Sequence, residues 1–406
     1  MSGPVVSAVE GSPVSQVDDV WDAVIGQPAA VTAMRRALTA DEVAHAWLFV
    51  GPGDVGQREL SRALAMALNC PDAPAPDRGC GKCTTCTRIA RGVHPSVEDL
   101  EPEGAHHVVD SVRSDWIPIA TRTLTEGRRR VLRIVAADRM NDAAQNAFLK
   151  ILEEPPPSVV WILDTQDDGM LLDTVLSRCR RLDLRPWGPD ALEAMATRLG
   201  VAPELRTSVA RAALGSPRRL NDLTDPDVAE ARRRHLGIIN RLATAGPGDV
   251  VPIAKELGAW SRDRANALKK VHQDQMVAYE EAFGVDGSRG WPPGVKARLT
   301  RRFERLERQE RRRALDLVLD DLGSWLRDLL LIQSGGTSDA MVNIDHLDAA
   351  ERDAPRLSPR DVVAGLEAVA QCREALDRNG NPELQLERLL FVIALPLYAR
   401  GVQPAV

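Results

Sequence analysis

The sequence lacks both a long apolar segment and an excess of positive charge. None of its 406 residues lies in a stretch that is long and apolar enough to span a membrane, and no secretory signal pattern precedes its first predicted domain. The net charge is −6 and the sequence pI is about 5.8, which argues against strong DNA binding by the chain alone. We therefore predict a cytoplasmic protein that makes no membrane contact and whose main partners are proteins.

A phosphate-binding loop keeps its shape here but lacks two side chains that its chemistry needs. Residues 47–50 form an apolar strand pattern that leads into a turn and a helix. In a G-x-x-x-x-G-K-[ST] loop the last two positions hold a lysine for the β- and γ-phosphates and a hydroxyl for magnesium, and here they are Gln57 and Arg58. The glycines that shape the turn remain, namely Gly51, Gly53 and Gly56. We predict a nucleotide-binding fold whose own site neither holds nor hydrolyses ATP, with a plain glycine-rich turn as the alternative.

A second catalytic element is altered in the same way. Residues 130–138 form an apolar strand pattern, and the segment 141–156 after it predicts a helix ended by two prolines. This segment resembles the clamp-loader ATPases, whose signature reads approximately D-E-A-D-x-M and then Q-N-A-L-L-K-x-L-E-E-P-P. Aligning the two places Val135 and Ala136 where that family has its magnesium-binding aspartate and its water-polarising glutamate. With both acids absent, little remains to stabilise charge during phosphoryl transfer.

Two arginines further along resemble residues that contact phosphate in the same superfamily. Arg178 lies in a Ser-Arg-Cys tripeptide similar to the arginine-finger motif, and the resemblance implies that it points into the nucleotide site of a neighbouring subunit. Its planar guanidinium can pair with a γ-phosphate through two hydrogen bonds. The alternative is an ordinary surface arginine. Arg218 resembles the second-sensor arginine, although a helix capped by Ser216 with Pro217 at its first position explains the same residues.

Four cysteines with metal-ligand spacing lie just after the predicted phosphate-loop helix. They are Cys70, Cys80, Cys83 and Cys86. Their thiolates can converge on one tetrahedral ion, which predicts a structural zinc site with no coordination position left for water. Disulfides and an iron–sulfur cluster are the alternatives, but a reducing cytosol disfavours disulfides and no redox-cofactor pattern accompanies the cysteines.

Breaks in the sequence pattern divide the chain into a tail and three predicted domains. Residues 1–18 read as a flexible tail, and 19–186 alternate strands with helices as in a parallel α/β domain, with the zinc module at 70–86. Residues 187–243 predict a small helical lid and 244–406 an all-helical region. The resemblance implies that the α/β domain is of the AAA+, RecA-like type and that the last region is an oligomerisation collar.

The order of these motifs is similar to that in subunits of the bacterial DNA polymerase III clamp loader. The resemblance runs from residues 20–27 to 379–384, and it implies a non-hydrolysing subunit that completes the loader ring and contacts the delta subunit. It further implies that Arg178 serves ATP held by a neighbouring gamma/tau subunit, and that the sliding clamp and primer-template DNA are reached through the assembled loader. One alternative is an active gamma/tau-like motor ATPase with a rearranged loop, and another is a nucleotide-binding scaffold outside replication.

Overall fold

The chain divides into two compact units, residues 1–221 and 222–406. The computed structural model describes residues 19–72, 77–102, 106–244, 247–282, 290–291 and 295–399. The predicted tail, residues 1–18, lies outside the described part of the chain. The division into AAA+, lid and collar domains stays a prediction.

A parallel sheet forms the centre of the first unit. Its strands are Ala46–Val50 (β1), Val97–Leu100 (β2), Arg130–Ile134 (β3), Val159–Thr165 (β4) and Arg180–Asp183 (β5). They lie side by side in the order β2-β3-β4-β1-β5, and every pairing is parallel. The prediction of a parallel α/β unit is thus confirmed, and parallel pairing requires crossover segments between successive strands.

Helices supply most of these crossovers. The helices of the first unit are Pro28–Thr39 (α1), Gln57–Asn69 (α2), Thr84–Ala90 (α3), Val109–Ser111 (α4), Ile117–Thr121 (α5), Asp142–Glu153 (α6), Asp173–Leu176 (α7), Pro189–Arg198 (α8), Arg206–Ala212 (α9) and Pro217–Leu223 (α10), the last of which crosses the unit boundary. Asn141 caps the start of α6, because its side chain accepts a hydrogen bond from the Ala144 N–H at 2.9 Å.

The apolar strand residues account for the position of the core. β4 is buried along its whole length, as expected of a central strand covered on both faces. Trp161 from β4 packs edge-on against Phe148 of α6, with ring centroids 4.9 Å apart, and Trp116 packs against the same phenylalanine at 6.0 Å. This packing fixes α6 against the sheet. The carboxyl ends of β1, β3 and β4 meet at one edge, the edge where open parallel sheets bind ligands.

The second unit is helical, as predicted for the C-terminal region. Its helices are Pro226–Leu236 (α11), Ile238–Thr244 (α12), Val250–Ala282 (α13), Val295–Gln333 (α14), Leu347–Asp353 (α15), Pro359–Asp377 (α16) and Pro382–Ala399 (α17). Buried apolar side chains from these helices form one cluster around Trp325. Inside the unit, His235 Nδ1 lies 2.8 Å from Asp321 Oδ2 with both side chains buried. In the described part of the chain, no helix has the length and apolarity to cross a membrane.

Candidate functional site

The phosphate loop, residues 51–56, lies between β1 and α2 as the sequence predicts. Two glycines are required by its geometry. A Cβ at Gly51 would collide with the carbonyl of Leu184, and Gly56 has a φ of +125°, which side chains on L-residues rarely adopt. The Gly51 N–H donates to the Thr165 carbonyl at 3.0 Å, which ties the loop to the end of β4. The turn that the sequence predicts between β1 and α2 is therefore formed.

Gln57, which replaces the lysine, folds back into the loop. Its Oε1 accepts a hydrogen bond from the Val55 N–H at 2.9 Å, and its Nε2 donates to the Pro52 carbonyl at 2.5 Å. The residue is buried, with 7% of its surface exposed. Loop N–H groups of this kind cradle the phosphates in an active loop. Here the side chain of the loop's own helix occupies one of those groups.

Val55 is held from its other side as well. Its carbonyl accepts hydrogen bonds from Gln27 Nε2 at 2.9 Å and from Trp187 Nε1 at 2.8 Å. Gln27 also donates to the Arg185 carbonyl at 2.6 Å and accepts from the Arg185 N–H at 3.1 Å. The N–H and the carbonyl of Val55 are thus both hydrogen-bonded to buried side chains. Gln27 and Trp187 lie far from the loop along the chain, so no local sequence pattern signals their contact with it.

Two arginines near the loop pair with carboxylates of the same unit. Arg58 Nε lies 3.6 Å from Asp99 Oδ2, and its Nη2 lies 3.9 Å from Glu101 Oε1. Arg218, the residue at the second-sensor position, places Nη1 2.7 Å from Asp54 Oδ2. Asp54 is a residue of the loop itself. Of the two arginines predicted to contact phosphate, Arg178 and Arg218, the structure therefore brings Arg218 to the loop.

The two positions predicted to align with catalytic acids of the family lie at the carboxyl end of β3. Val135 and Ala136 follow the last residue of that strand, and the Val135 carbonyl lies 2.8 Å from His107 Nε2. Ala136 has a left-handed backbone with φ 54° and ψ 59°, an uncommon conformation for a residue with a Cβ. Neither side chain has a group that could bind magnesium or orient water.

A buried charged network, absent from the sequence predictions, crosses the sheet beside these positions. Arg133 on β3 donates through Nε to Asp99 Oδ1 at 2.8 Å, and its Nη1 lies 3.3 Å from Asp164 Oδ2 on β4. Burial raises the pKa of Asp164 to about 7 and outweighs the opposing attraction of Arg133. An arginine inside an apolar strand pattern was the sequence signal for this network. Its charges link β2, β3 and β4 through side chains.

Arg178, the predicted finger, lies on the surface just after α7. Its Nη2 is 2.7 Å from Glu153 Oε1, and its Nη1 donates to the Thr174 carbonyl at 2.8 Å. About a third of the side chain, 35%, remains exposed. Its backbone N–H donates to the Val175 carbonyl at 3.1 Å, so the turn that carries it is ordered. Within the described contacts, Arg178 does not meet the phosphate loop of its own unit.

The four cysteines converge as their spacing predicts. Their sulfur atoms all lie within 4.8 Å of one another, and none of the chain's cysteines forms a disulfide. Cys70 Sγ and Cys83 Sγ are 3.9 Å apart, close to the ~3.8 Å edge of a tetrahedron whose metal–sulfur distance is ~2.3 Å. This donor set and spacing fit a structural zinc ion.

Backbone N–H groups point at the same sulfur atoms. Cys80 N donates to Cys70 Sγ at 3.4 Å, Cys83 N to Cys80 Sγ at 3.3 Å and Cys86 N to Cys83 Sγ at 3.4 Å. Burial raises the pKa of Cys80, but N–H donors from Cys83 and Lys82 outweigh it, so the pKa falls to about 7. Burial instead raises the pKa of Cys83 and of Cys86, so within the cluster the lowered pKa of Cys80 favours the thiolate form that a zinc ligand must adopt.

Two protein-family models match the sequence. One, described as DNA polymerase III, delta subunit, matches residues 26–188, and the other, described as DNA polymerase III, delta subunit, C terminal, matches 310–394. Together the two matched segments cover more than half of the chain. The first segment contains the phosphate loop with Gln57, the cysteine cluster and Arg178. The chain belongs to the clamp-loader subunits of DNA polymerase III.

Similar curated proteins carry delta' and gamma/tau names. DNA polymerase III subunit delta' of Bacillus subtilis is 25% identical over 373 residues, 90% of this chain and 96% of that protein. Subunit delta' of Pseudomonas aeruginosa is 41% identical over 138 residues, 34% of this chain and 42% of that protein. Subunit gamma/tau of Mycobacterium bovis is 31% identical over 252 residues, 60% of this chain. The chain spans 43% of that gamma/tau relative, less than half of its length.

Proposed function

We propose that this chain is a delta-prime-type subunit with an AAA+ fold that completes a clamp-loader ring without hydrolysing ATP. The observation that carries the proposal is the Gln57 side chain, which hydrogen-bonds the loop from within. The long match to a delta' subunit supports the same assignment. The subunit would act as a stator, a fixed member against which neighbouring motor subunits move.

The Gln57 side chain opposes ATP binding at the loop. A phosphate that reaches the Val55 N–H must first displace Gln57 Oε1, which already satisfies that donor. The displaced amide would then lose its hydrogen bonds, each worth about 1 kcal/mol net. No lysine at this position offsets that loss with a charge, and the next residue, Arg58, lies 3.6 Å from Asp99 and 3.9 Å from Glu101. Loss of the metal-binding hydroxyl and both acids then leaves no group to activate water.

Arg178 is the residue through which this subunit contributes to ATP hydrolysis at the site of a neighbouring subunit. Its side chain is 35% exposed, it follows a hydrogen-bonded turn, and its guanidinium can form a two-pronged contact with phosphate. Such a finger, supplied in trans, stabilises charge in phosphoryl transfer and is worth about 10³–10⁵ in rate at the site that it serves. The partners on this reading are gamma/tau and delta subunits, with the sliding clamp and primed DNA reached through the assembled ring.

The decisive experiment measures ATP hydrolysis by a loader reconstituted from gamma/tau, delta and this chain, with clamp and primed DNA present. We expect the chain alone to be inactive, and Arg178→Ala to lower turnover in a ring that still assembles. Arg181→Ala is the matched control, because Arg181 is also exposed and pairs with acids of its own unit, Asp168 and Asp183. Arg178→Lys keeps the charge without the planar fork and should not restore the rate.

Two results would contradict the proposal. ATP turnover by the purified chain alone would favour a gamma/tau-like motor with a rearranged loop, and the chain is 31% identical to a gamma/tau subunit over 252 residues. Full turnover by an assembled Arg178→Ala ring would contradict the role of Arg178 as an arginine finger. Size-exclusion chromatography of each reconstituted ring separates a catalytic defect from failed assembly.

A further inference from the structure

Glu153 contacts the guanidinium of Arg178 from the end of a different helix. It is the last residue of α6, which is followed by Pro155 and Pro156. Its Oε1 lies 2.7 Å from Arg178 Nη2, and the two side chains are 49% and 35% exposed. Residues 154–172 separate α6 from the segment that carries the arginine, so the pair joins two distant parts of the chain.

The location of this carboxylate is unfavourable without a cation. The C-terminal end of a helix carries partial negative charge from its unpaired carbonyls, which repels an acidic side chain. Glu153 lies at that end of α6, and Arg178 supplies the opposite charge. Arg178 therefore offsets a local repulsion, and Glu153 in return fixes one nitrogen of the guanidinium.

The guanidinium is held by two anchors that leave part of it free. Nη1 donates to the Thr174 carbonyl at 2.8 Å and lies 3.4 Å from Ser177 Oγ, while Nη2 contacts Glu153. Nε makes no hydrogen bond with the described residues. An arginine has five N–H donors, so two fixed nitrogens still leave donors for a phosphate.

We propose that Glu153 is a positioning residue for Arg178, holding its side chain in the orientation that a neighbouring subunit's γ-phosphate meets. This inference rests on the proposed function of Arg178. An unrestrained arginine loses much rotamer freedom when it binds, and prior fixation by Glu153 removes part of that loss. Preorganised donors are also those that stabilise developing charge most effectively.

The test compares Glu153→Ala with Glu154→Ala in the reconstituted loader. Glu154 is the adjacent acid at the same helix end, so it controls for charge and for helix termination. An exposed ion pair contributes little, so we expect kcat to fall about two- to fivefold for Glu153→Ala, with KM for ATP unchanged. Glu154→Ala should match the unaltered chain. Glu153→Gln, which keeps an acceptor without the charge, should retain more activity than Glu153→Ala.

A double variant shows whether Glu153 acts through the arginine. If it does, Glu153→Ala combined with Arg178→Ala should equal Arg178→Ala alone. A double variant slower than Arg178→Ala, a Glu153→Ala rate at or above that of the unaltered chain, or equal losses at Glu153 and Glu154 would each overturn the positioning role. These outcomes differ from failure of the proposed function, in which Arg178→Ala itself has no effect. Melting temperatures of the variants exclude loss of folding.

Discussion

Replacing Gln57 with methionine tests whether the loop is held closed by its own side chain. Methionine has nearly the volume of glutamine but cannot make the bonds to the Val55 N–H and the Pro52 carbonyl, now 2.9 and 2.5 Å long. Each bond contributes about 1 kcal/mol net, and a buried group left without a partner costs about 1–3 kcal/mol. We therefore expect a loss of about 2–3 kcal/mol in the free energy of unfolding of the first unit.

The assay is thermal and urea unfolding followed by circular dichroism. For a unit of this size, the expected loss lowers the melting temperature by about 4–12 °C. Arg58→Ala is the neighbouring control and should lower stability by at most about 1 kcal/mol, because its ion pairs are long and exposed. Unaltered stability in Gln57→Met would refute the closed loop, and so would tight ATP binding by the unaltered chain in equilibrium dialysis.

Two further predictions concern the buried charges and the cysteines. Folding raises the pKa of Asp164 from its ordinary value of 3.8 to about 7. The protonated carboxyl therefore contributes stability that is fully present below about pH 4 and is lost as the pH rises through about 7. The stability of the unaltered chain relative to Asp164→Asn should therefore be lower at about pH 8 than at about pH 5 in urea titrations, and a difference independent of pH would contradict this assignment. Cys86→Ser should lose about one bound zinc per chain by elemental analysis and should melt at a lower temperature. Cys372 is a buried cysteine outside the cluster, so Cys372→Ser should keep the metal. Equal metal content in the two variants would rule out the site.

The lost chemistry of the loop was predictable because motif spacing fixes which residue follows Gly56. The lysine position, the hydroxyl position and the two acid positions could each be read without coordinates. The inward turn of Gln57 could not be read, because a glutamine rotamer depends on where acceptors such as the Pro52 carbonyl lie. The same limit applies to Asp54, whose pairing with Arg218 joins residues 164 positions apart.

The cysteine cluster and the parallel sheet were predictable for a similar reason. Short cysteine gaps and apolar strand runs are local patterns, and the structure confirms both as coarse features. Strand order is not local, so the meeting of Arg133 with Asp99 and Asp164 could not be foreseen. Glu153 lies in the segment 141–156 that resembles the family signature, and its contact with Arg178 emerges from the packing of α6 beside α7.

The group that fills the phosphate loop is the side-chain amide of Gln57, so it is covalently attached to the protein. A ligand taken from solution stabilises its protein by an amount that grows with the logarithm of the ligand concentration. The Gln57 amide is instead supplied at an effective concentration that the chain itself sets, since it lies two residues from the Val55 N–H that it caps. We therefore expect the stability of this unit to be the same in energy-rich and energy-depleted cells. Its loop conformation would then be constant while the ratio of ATP to ADP varies around it.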